Sequence, residues 1–170
     1  MDKPTNVKKI SYLALLCSIS IILSYIESLI PFQFGIPGAK IGLANTITII
    51  ALLCFSFQEA FSIMIVRVLI VGMTFTNIYM MLYSLSGGIL SLVMMFIFYK
   101  MHLFSNYIIS IIGGIFHNIG QLLIAMIFFN TTTFTYYLPY LILLGLISGT
   151  VIGLISQIIY LKIGNYIKRR

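Results

Sequence analysis

Long apolar segments separated by short polar ones are the feature that most constrains this chain. Hydrophobic residues make up 61% of its 170 residues and charged residues only 8%, which leaves too little polar surface to cover a soluble core. A helix that spans a bilayer needs about 20 mostly apolar residues, so there is room for roughly six spans with short connections. The sequence therefore predicts an all-α integral membrane protein, with residues 1–170 forming a single transmembrane domain.

Polar and helix-breaking residues between the apolar segments set the boundaries of the spans. The predicted spans are residues 9–30, 41–57, 58–75, 78–99, 106–129 and 137–161. We expect a bundle of six transmembrane helices, in which the second and third spans form a tight antiparallel hairpin. The first span runs to Ile30 and is followed by Pro31 without a small-residue cleavage site, and this pattern predicts a retained helix rather than a signal peptide.

The basic residues follow the predicted topology. They are Lys3, Lys8 and Lys9 before the first span, Lys100 and His102 between the fourth and fifth, and Lys162, Lys168, Arg169 and Arg170 after the sixth. With six spans these groups all fall on one side, which the positive-inside rule makes cytoplasmic. We therefore expect a multi-pass protein of the cell membrane with both termini in the cytoplasm. The net charge of +7 then reflects topology and contact with anionic lipid, not nucleic-acid binding.

Residues 36–45 contain two polar side chains, Lys40 and Asn45, at the predicted outer start of the second span. Lys40 is the exception to the charge rule, because it lies on the outer side. Glu27 lies near the outer end of the first span, so it can meet both groups. We interpret Glu27, Lys40 and Asn45 as candidate ligand-binding residues.

Arg67 and His117 each fall near the bilayer midplane, about 15 Å along their helices at about 1.5 Å per residue. Charged and ionisable groups at that depth usually face the interior of a bundle and serve function. The alternative is that Arg67 has a structural role, paired with Glu27 or with carbonyls at a helix end. Glu59, at the start of the third span, is expected to act mainly as a helix cap or a partner-facing charge.

The fifth span contains a polar group in which His117 and Gln121 share a helix face and Asn118 flanks it. Glycines in the same helix allow another backbone to approach closely. We expect one shared cavity lined by Glu27, Lys40, Asn45, Arg67, His117, Asn118 and Gln121. Arginine and lysine in a low dielectric favour a carboxylate or phosphate, so the sequence predicts a small anionic ligand. No cofactor and no metal site is predicted, because the chain lacks a second histidine or an acidic cluster beside His117.

The first helix also carries a stripe of small residues, Ser11, Ala14 and Ser18. Such a stripe is used either for packing within the bundle or for docking to a separate membrane subunit. The sequence contains no paired-carboxylate cluster for magnesium diphosphate, no nucleophile motif and no Gly-rich phosphate loop. We therefore expect a protein that is not an enzyme.

Five short segments, taken in order, give the chain a specific resemblance to a known family. They are residues 23–27, 37–45, 67–69, 83–88 and 117–121, which read LSYIE, PGAKIGLAN, RVL, YSLSGG and HNIGQ. Over nearly its whole length the chain resembles the Gx transporter family, also called heptaprenyl diphosphate synthase component I, which is related to the S components of energy-coupling factor (ECF) transporters. The resemblance implies a six-helix, S-component-like bundle that binds a small molecule from the outer side, with the first loop as a lid. It also implies a transmembrane coupling subunit and two cytoplasmic ATPases as partners, with docking through the stripe on the first helix.

Three functions remain open at this point. The first is the substrate-binding subunit of an ECF-type importer for a vitamin-like or isoprenoid- or quinone-precursor-like molecule. The second is a non-catalytic membrane partner of a prenyl diphosphate synthase, and the third is a stand-alone secondary carrier.

Overall fold

The computed structural model describes residues 6–29 and 42–164, and these parts of the chain form helices and connections without a strand. The helices are α1 (Asn6–Leu29), α2 (Asn45–Cys54), α3 (Phe57–Thr74), α4 (Ile78–Lys100), α5 (Asn106–Phe129) and α6 (Leu138–Ile159). A 3-10 turn, Thr133–Tyr137, precedes α6, and a π-helical turn, Tyr160–Gly164, follows it. The predicted all-α class is therefore confirmed.

Five of the helical segments are long and apolar enough to cross a membrane. They are Val7–Leu29, Phe57–Thr74, Ile78–Lys100, Asn106–Phe129 and Thr133–Lys162. Large apolar side chains such as Leu15, Ile147 and Leu154 lie exposed on their outer faces, an arrangement that suits a lipid environment. These features are those of a membrane-embedded helical bundle, and they agree with five of the six predicted spans.

The second predicted span, residues 41–57, differs from expectation. Its helix α2 has only 10 residues and is about 15 Å long, half the thickness of the hydrocarbon core. Gly42, with φ +82°, and a turn through Leu43 and Ala44 delay its start, and extended backbone at Ser56 separates it from α3. All residues from Asn45 to Leu53 are buried, so the strong hydropathy of this segment reflects burial inside the bundle.

Contacts at two levels show that α1 and α3 run in the same direction. Lys9, near the start of α1, pairs with Glu59, near the start of α3. Farther along both helices, Arg67 donates a hydrogen bond to Ser24. The chain must therefore return to the Lys9 end between α1 and α3, and α2 lies on this return path.

The helices α4, α5 and α6 pack as antiparallel neighbours through glycines. A Cβ atom added at Gly120 would lie 2.8 Å from the Cα of Gly87, and one added at Gly114 would lie 2.5 Å from the carbonyl oxygen of Gly145. Since only glycine permits such close backbone contact, these positions bring α5 between α4 and α6. This packing places the middle of α5 inside the bundle.

Local capping explains why α4 and α5 begin where the sequence predicts. The side chain of Asn77 accepts a hydrogen bond from the backbone N–H of Met80 at 2.9 Å, and Ser105 accepts one from Ile108 at 3.4 Å. Such caps satisfy backbone donors that the first turn of a helix leaves unpaired. At the other end of α5, Asn130 adopts a left-handed conformation with φ 46° and ends the helix.

Candidate ligand-binding site

A small cavity lies where the second half of α1, the second half of α3, the start of α4 and the middle of α5 meet. We call it the central cavity; it is lined by Ser24, Glu27, Gly42, Arg67, Val68, Val71, Gly72, Thr76, Met81, Ser84 and His117. Its volume is about 20 Å³, which is room for about one water molecule. The lining combines a guanidinium, a carboxylate, an imidazole and hydroxyl groups with the apolar side chains of Val68, Val71 and Met81.

Arg67 is the most unusual group in this lining. Its side chain is 5% exposed and its hydrogen bonds go to neutral groups: Nη1 donates to Ser24 Oγ at 3.3 Å and Nη2 donates to Asn45 Oδ1 at 3.5 Å. Both distances are longer than the usual 2.7–3.2 Å for N–H···O bonds, and Nε has no hydrogen-bond partner in the described part of the chain. A buried guanidinium has five donors, so Arg67 retains capacity for an anion.

Glu27 lines the same cavity and fixes the start of the α2 region. Its carboxylate accepts a hydrogen bond from the backbone N–H of Gly42. The positive φ of Gly42 favours glycine, and a Cβ atom there would lie 2.9 Å from Asn45 Nδ2. A larger residue would therefore be strained and would displace the side chain of Asn45. Glu27 thus holds the turn that presents Asn45 to Arg67.

His117 enters the cavity from α5. Its Nε2 lies 3.1 Å from Nε2 of Gln121, one helical turn farther along. The ring packs on the backbone of Gly87, where an added Cβ atom would lie 3.0 Å from ring atoms Nδ1 and Cε1. Contact with Gln121 on one side and Gly87 on the other fixes the orientation of the imidazole.

The structure brings together five of the seven residues predicted for the site. Glu27, Arg67 and His117 line the cavity, Asn45 contacts Arg67, and Gln121 contacts His117. The buried Oε1 of Gln121 has no hydrogen-bond partner in the described chain, which leaves an acceptor beside the imidazole. Lys40 lies outside the described residues.

Asn118 is placed differently from the prediction that it lines the cavity. Its Nδ2 donates a hydrogen bond of 2.9 Å to the carbonyl oxygen of Leu141 on α6. Adjacent residues of a helix point about 100° apart, so Asn118 ties α5 to α6 while His117 turns toward α3 and α4.

Sequence reasoning missed Ser24, Thr76, Met81 and Ser84 as lining residues. A signal existed for Ser24, which lies three residues before Glu27 and thus on the same face of α1. Thr76 lies in the connection between α3 and α4, and its Oγ1 donates to the carbonyl oxygens of Val71 and Gly72 at 3.4 and 3.5 Å. Met81 carries no polar signal and is revealed only by the tertiary structure.

The opposite end of α1 and α3 carries a second feature, a groove of about 380 Å³. It is lined by Ile10, Leu13, Ala14, Cys17, Gln58, Glu59, Ser62, Ile63 and Val66. Glu59 pairs with Lys9 and accepts a hydrogen bond from Ser56, so it holds α1 and α3 together and lies outside the central cavity. Ser11, Ala14 and Ser18 are all exposed on α1.

The described residues contain no group of three or more His, Cys, Asp or Glu side chains placed to hold a metal ion. Cys17 and Cys54 are partly buried thiols on α1 and α2 that form no disulfide.

Comparison with known proteins identifies one family. The family model described as heptaprenyl diphosphate synthase component I matches residues 16–159, a region that contains the whole of the central cavity. No curated protein and no solved structure matches the chain.

Proposed function

The chain belongs to the heptaprenyl diphosphate synthase component I family, and from this premise and the central cavity we propose that it is a membrane-embedded substrate-binding subunit. In this proposal it is the S component of an ECF-type importer with an S-component-like bundle of six spans. It captures a small anionic molecule from the outer side of the membrane. The molecule resembles a vitamin or an isoprenoid or quinone precursor.

The single observation that carries the proposal is the state of Arg67. The guanidinium is 5% exposed and makes only long hydrogen bonds to Ser24 and Asn45. The Glu27 carboxylate in the same lining attracts it, but Nε has no hydrogen-bond partner in the described chain, so its donors are incompletely satisfied. A carboxylate or phosphate supplies two parallel charge-assisted hydrogen bonds to such a group. An anionic ligand therefore stabilises the site that the protein builds.

The lining indicates what else the ligand presents. Ser24, Glu27, Ser84 and His117 offer hydrogen-bonding groups, whereas Val68, Val71 and Met81 offer apolar surface. An anion with an adjoining apolar body can contact both the polar and the apolar residues of the lining.

Binding without catalysis is part of the proposal. The chain has three acidic residues, and the two that are described, Glu27 and Glu59, lie toward opposite ends of the bundle. A pair of carboxylates around magnesium, which chemistry on a diphosphate commonly needs, therefore cannot form from these two. We propose that the chain binds its ligand and leaves energy conversion to partners.

The partners that we propose are a transmembrane coupling subunit and two cytoplasmic ATPases. The exposed stripe of Ser11, Ala14 and Ser18 on α1 is suited to close helix packing. The helix directions put Lys9, Lys100 and Lys162 at the same end of the bundle, and the positive-inside rule then favours a cytoplasmic location for this end. The proposed location is the bacterial cell membrane, with both termini in the cytoplasm.

A second candidate function has one observation in its favour, the name of the family, which refers to a component of a synthase. In that case the chain is a non-catalytic membrane partner that anchors or regulates a prenyl diphosphate synthase. The central cavity then binds the substrate or product of that enzyme.

Purification of the tagged chain from the membranes of its own host, with identification of bound proteins, separates the two candidates. A coupling subunit with two ATPases supports the importer, whereas a soluble prenyl diphosphate synthase supports the second function. The double variant Ser11→Leu and Ala14→Leu tests the small-residue stripe directly. Its larger side chains should prevent close helix packing, so the coupling subunit and the ATPases should no longer co-purify with the chain. Purification of the chain without either partner, with ligand uptake into ATPase-free proteoliposomes, contradicts both and indicates a stand-alone carrier.

A further inference from the structure

We propose that Met81 sets the size of the central cavity and thereby limits the length of the apolar part of the ligand. This inference rests on the proposed ligand-binding function. It assigns to α4 a specificity-determining residue that carries no charge and no polar group.

The lining of the cavity contains polar and apolar groups. Ser24, Glu27 and Arg67 are the polar groups from α1 and α3, whereas Val71, Gly72 and Met81 contribute apolar surface from the second half of α3 and the start of α4. An apolar body attached to an anion at Arg67 is expected to contact this surface.

Met81 fills the space above Gly72. A Cβ atom added at Gly72 would lie 2.4 Å from Cγ, 2.7 Å from Cβ and 2.7 Å from Sδ of Met81. The methionine thus lies directly on the backbone of α3, in a slot that exists only because residue 72 has no side chain. When Met81 leaves this slot, the slot becomes continuous with the cavity.

Movement of some lining group is required, because about 20 Å³ admits about one water molecule and not an organic anion. Val68 and Val71 are β-branched, buried residues of α3 with little rotamer freedom in a helix. Arg67 is held by Ser24 and Asn45. Met81 is only partly buried, lies near the start of α4 and has an unbranched side chain that adapts easily. It is the lining residue that can yield with the least disturbance.

The test uses straight-chain carboxylates from acetate to octanoate as probes and measures their effect on the melting temperature of the purified protein. In the wild-type protein, we expect stabilisation to pass through an optimum at a short chain length. Met81→Ala should shift this optimum to carboxylates that are about three carbon atoms longer, because truncation frees the space beyond Cβ. Met73→Ala is the matched control, since Met73 follows Gly72 but is 80% exposed, and it should leave the optimum unchanged.

Met81→Ile keeps the volume of the side chain but removes its flexibility, so it provides a second variant if the alanine variant is poorly folded. It should weaken the response to every probe and abolish the response to the longer ones, because the rigid side chain cannot leave the slot above Gly72. The inference is overturned if Met81→Ala or Met81→Ile keeps the wild-type optimum. Arg67→Gln tests the anion site separately from the role of Met81. If this variant is stabilised by the carboxylates as much as the wild-type protein, Arg67 does not bind the anion. If no carboxylate stabilises the wild-type protein or any variant, both the anion site at Arg67 and the size limit set by Met81 are contradicted.

Discussion

Arg67 on α3 and Ser24 on α1 meet inside the bundle, with 3.3 Å between Nη1 and Oγ. The contact joins two parallel helices at the level of the central cavity, about 22 Å along α1 from the Lys9–Glu59 pair at about 1.5 Å per residue. A hydroxyl group is a weak partner for a buried guanidinium, and the Arg67–Ser24 contact is therefore better suited to orienting Arg67 than to neutralising it. If Ser24 only orients Arg67, substitution of Arg67 should reduce ligand affinity more than it reduces the stability of the fold.

Arg67→Gln should weaken binding of the anionic ligand while leaving a folded, monodisperse protein. Each lost charge-assisted hydrogen bond is worth about 1.5–3 kcal/mol, so affinity should fall by about tenfold to more than a hundredfold. Arg67→Lys should retain part of the affinity, because it keeps the charge but not the bidentate geometry. Native mass spectrometry identifies a retained ligand, and isothermal titration then measures its affinity for each variant. Aggregation of both variants in detergent would instead assign Arg67 a structural role.

His117 and Asn118 are neighbours in sequence but should have separable effects. His117→Ala removes a cavity-lining group and should reduce ligand affinity with a small change in melting temperature. Asn118→Ala removes the hydrogen bond to the Leu141 carbonyl, which still serves as an acceptor within α6, and should cost about 0.5–1.5 kcal/mol of stability. Melting curves and titrations of the two variants provide the comparison. The assignment is wrong if Asn118→Ala loses ligand affinity at unchanged stability.

The spans could largely be predicted from the sequence because their ends depend on local chemistry. Asn77 and Ser105 cap α4 and α5 through residues three positions away, and such signals are visible in one short segment. The length of α2 could not be predicted in this way. Hydropathy does not distinguish a helix buried by other helices from one that faces lipid, and the turn at Gly42 depends on Glu27, fifteen residues earlier.

The candidate site shows the same division. Arg67 and His117 stand out because ionisable groups are rare in apolar segments. The direction of each side chain depends on how the helices pack, and packing turns Asn118 toward α6 and Met81 toward Gly72. Residue type therefore identified the polar groups, and tertiary structure was needed to assign them to a cavity or to a helix contact.

The topology makes a prediction that is independent of any ligand. We expect the connection between α4 and α5 to face the cytoplasm, because Lys100 precedes it and basic residues favour the cytoplasmic side. The connection between α5 and α6 should then face outward. In a chain with both native cysteines replaced by alanine, Thr131→Cys should react with an impermeant maleimide in intact cells. Leu103→Cys, at a position that is 75% exposed, should react only after permeabilisation. Labelling of Leu103→Cys in intact cells would contradict the proposed orientation and would place the α4–α5 connection outside the cell.

The Lys9–Glu59 pair should hold the ends of α1 and α3 together without affecting the central cavity. The side chains are 39% and 16% exposed, so solvent screens the pair and its coupling energy should be about 0.2–1 kcal/mol. Lys9→Gln, Glu59→Gln and the double variant form a cycle that isolates this coupling from the separate effects of each substitution. Glu59 also accepts a hydrogen bond from Ser56, and Glu59→Gln should therefore be the more destabilising of the two single variants. Melting temperatures of the wild-type protein and the three variants measure the coupling between Lys9 and Glu59. Ligand titration should give the wild-type affinity for all three variants. A loss of affinity in Lys9→Gln would show that the two ends of the α1–α3 pair are coupled and that the central cavity responds to the end at which partners are proposed to bind.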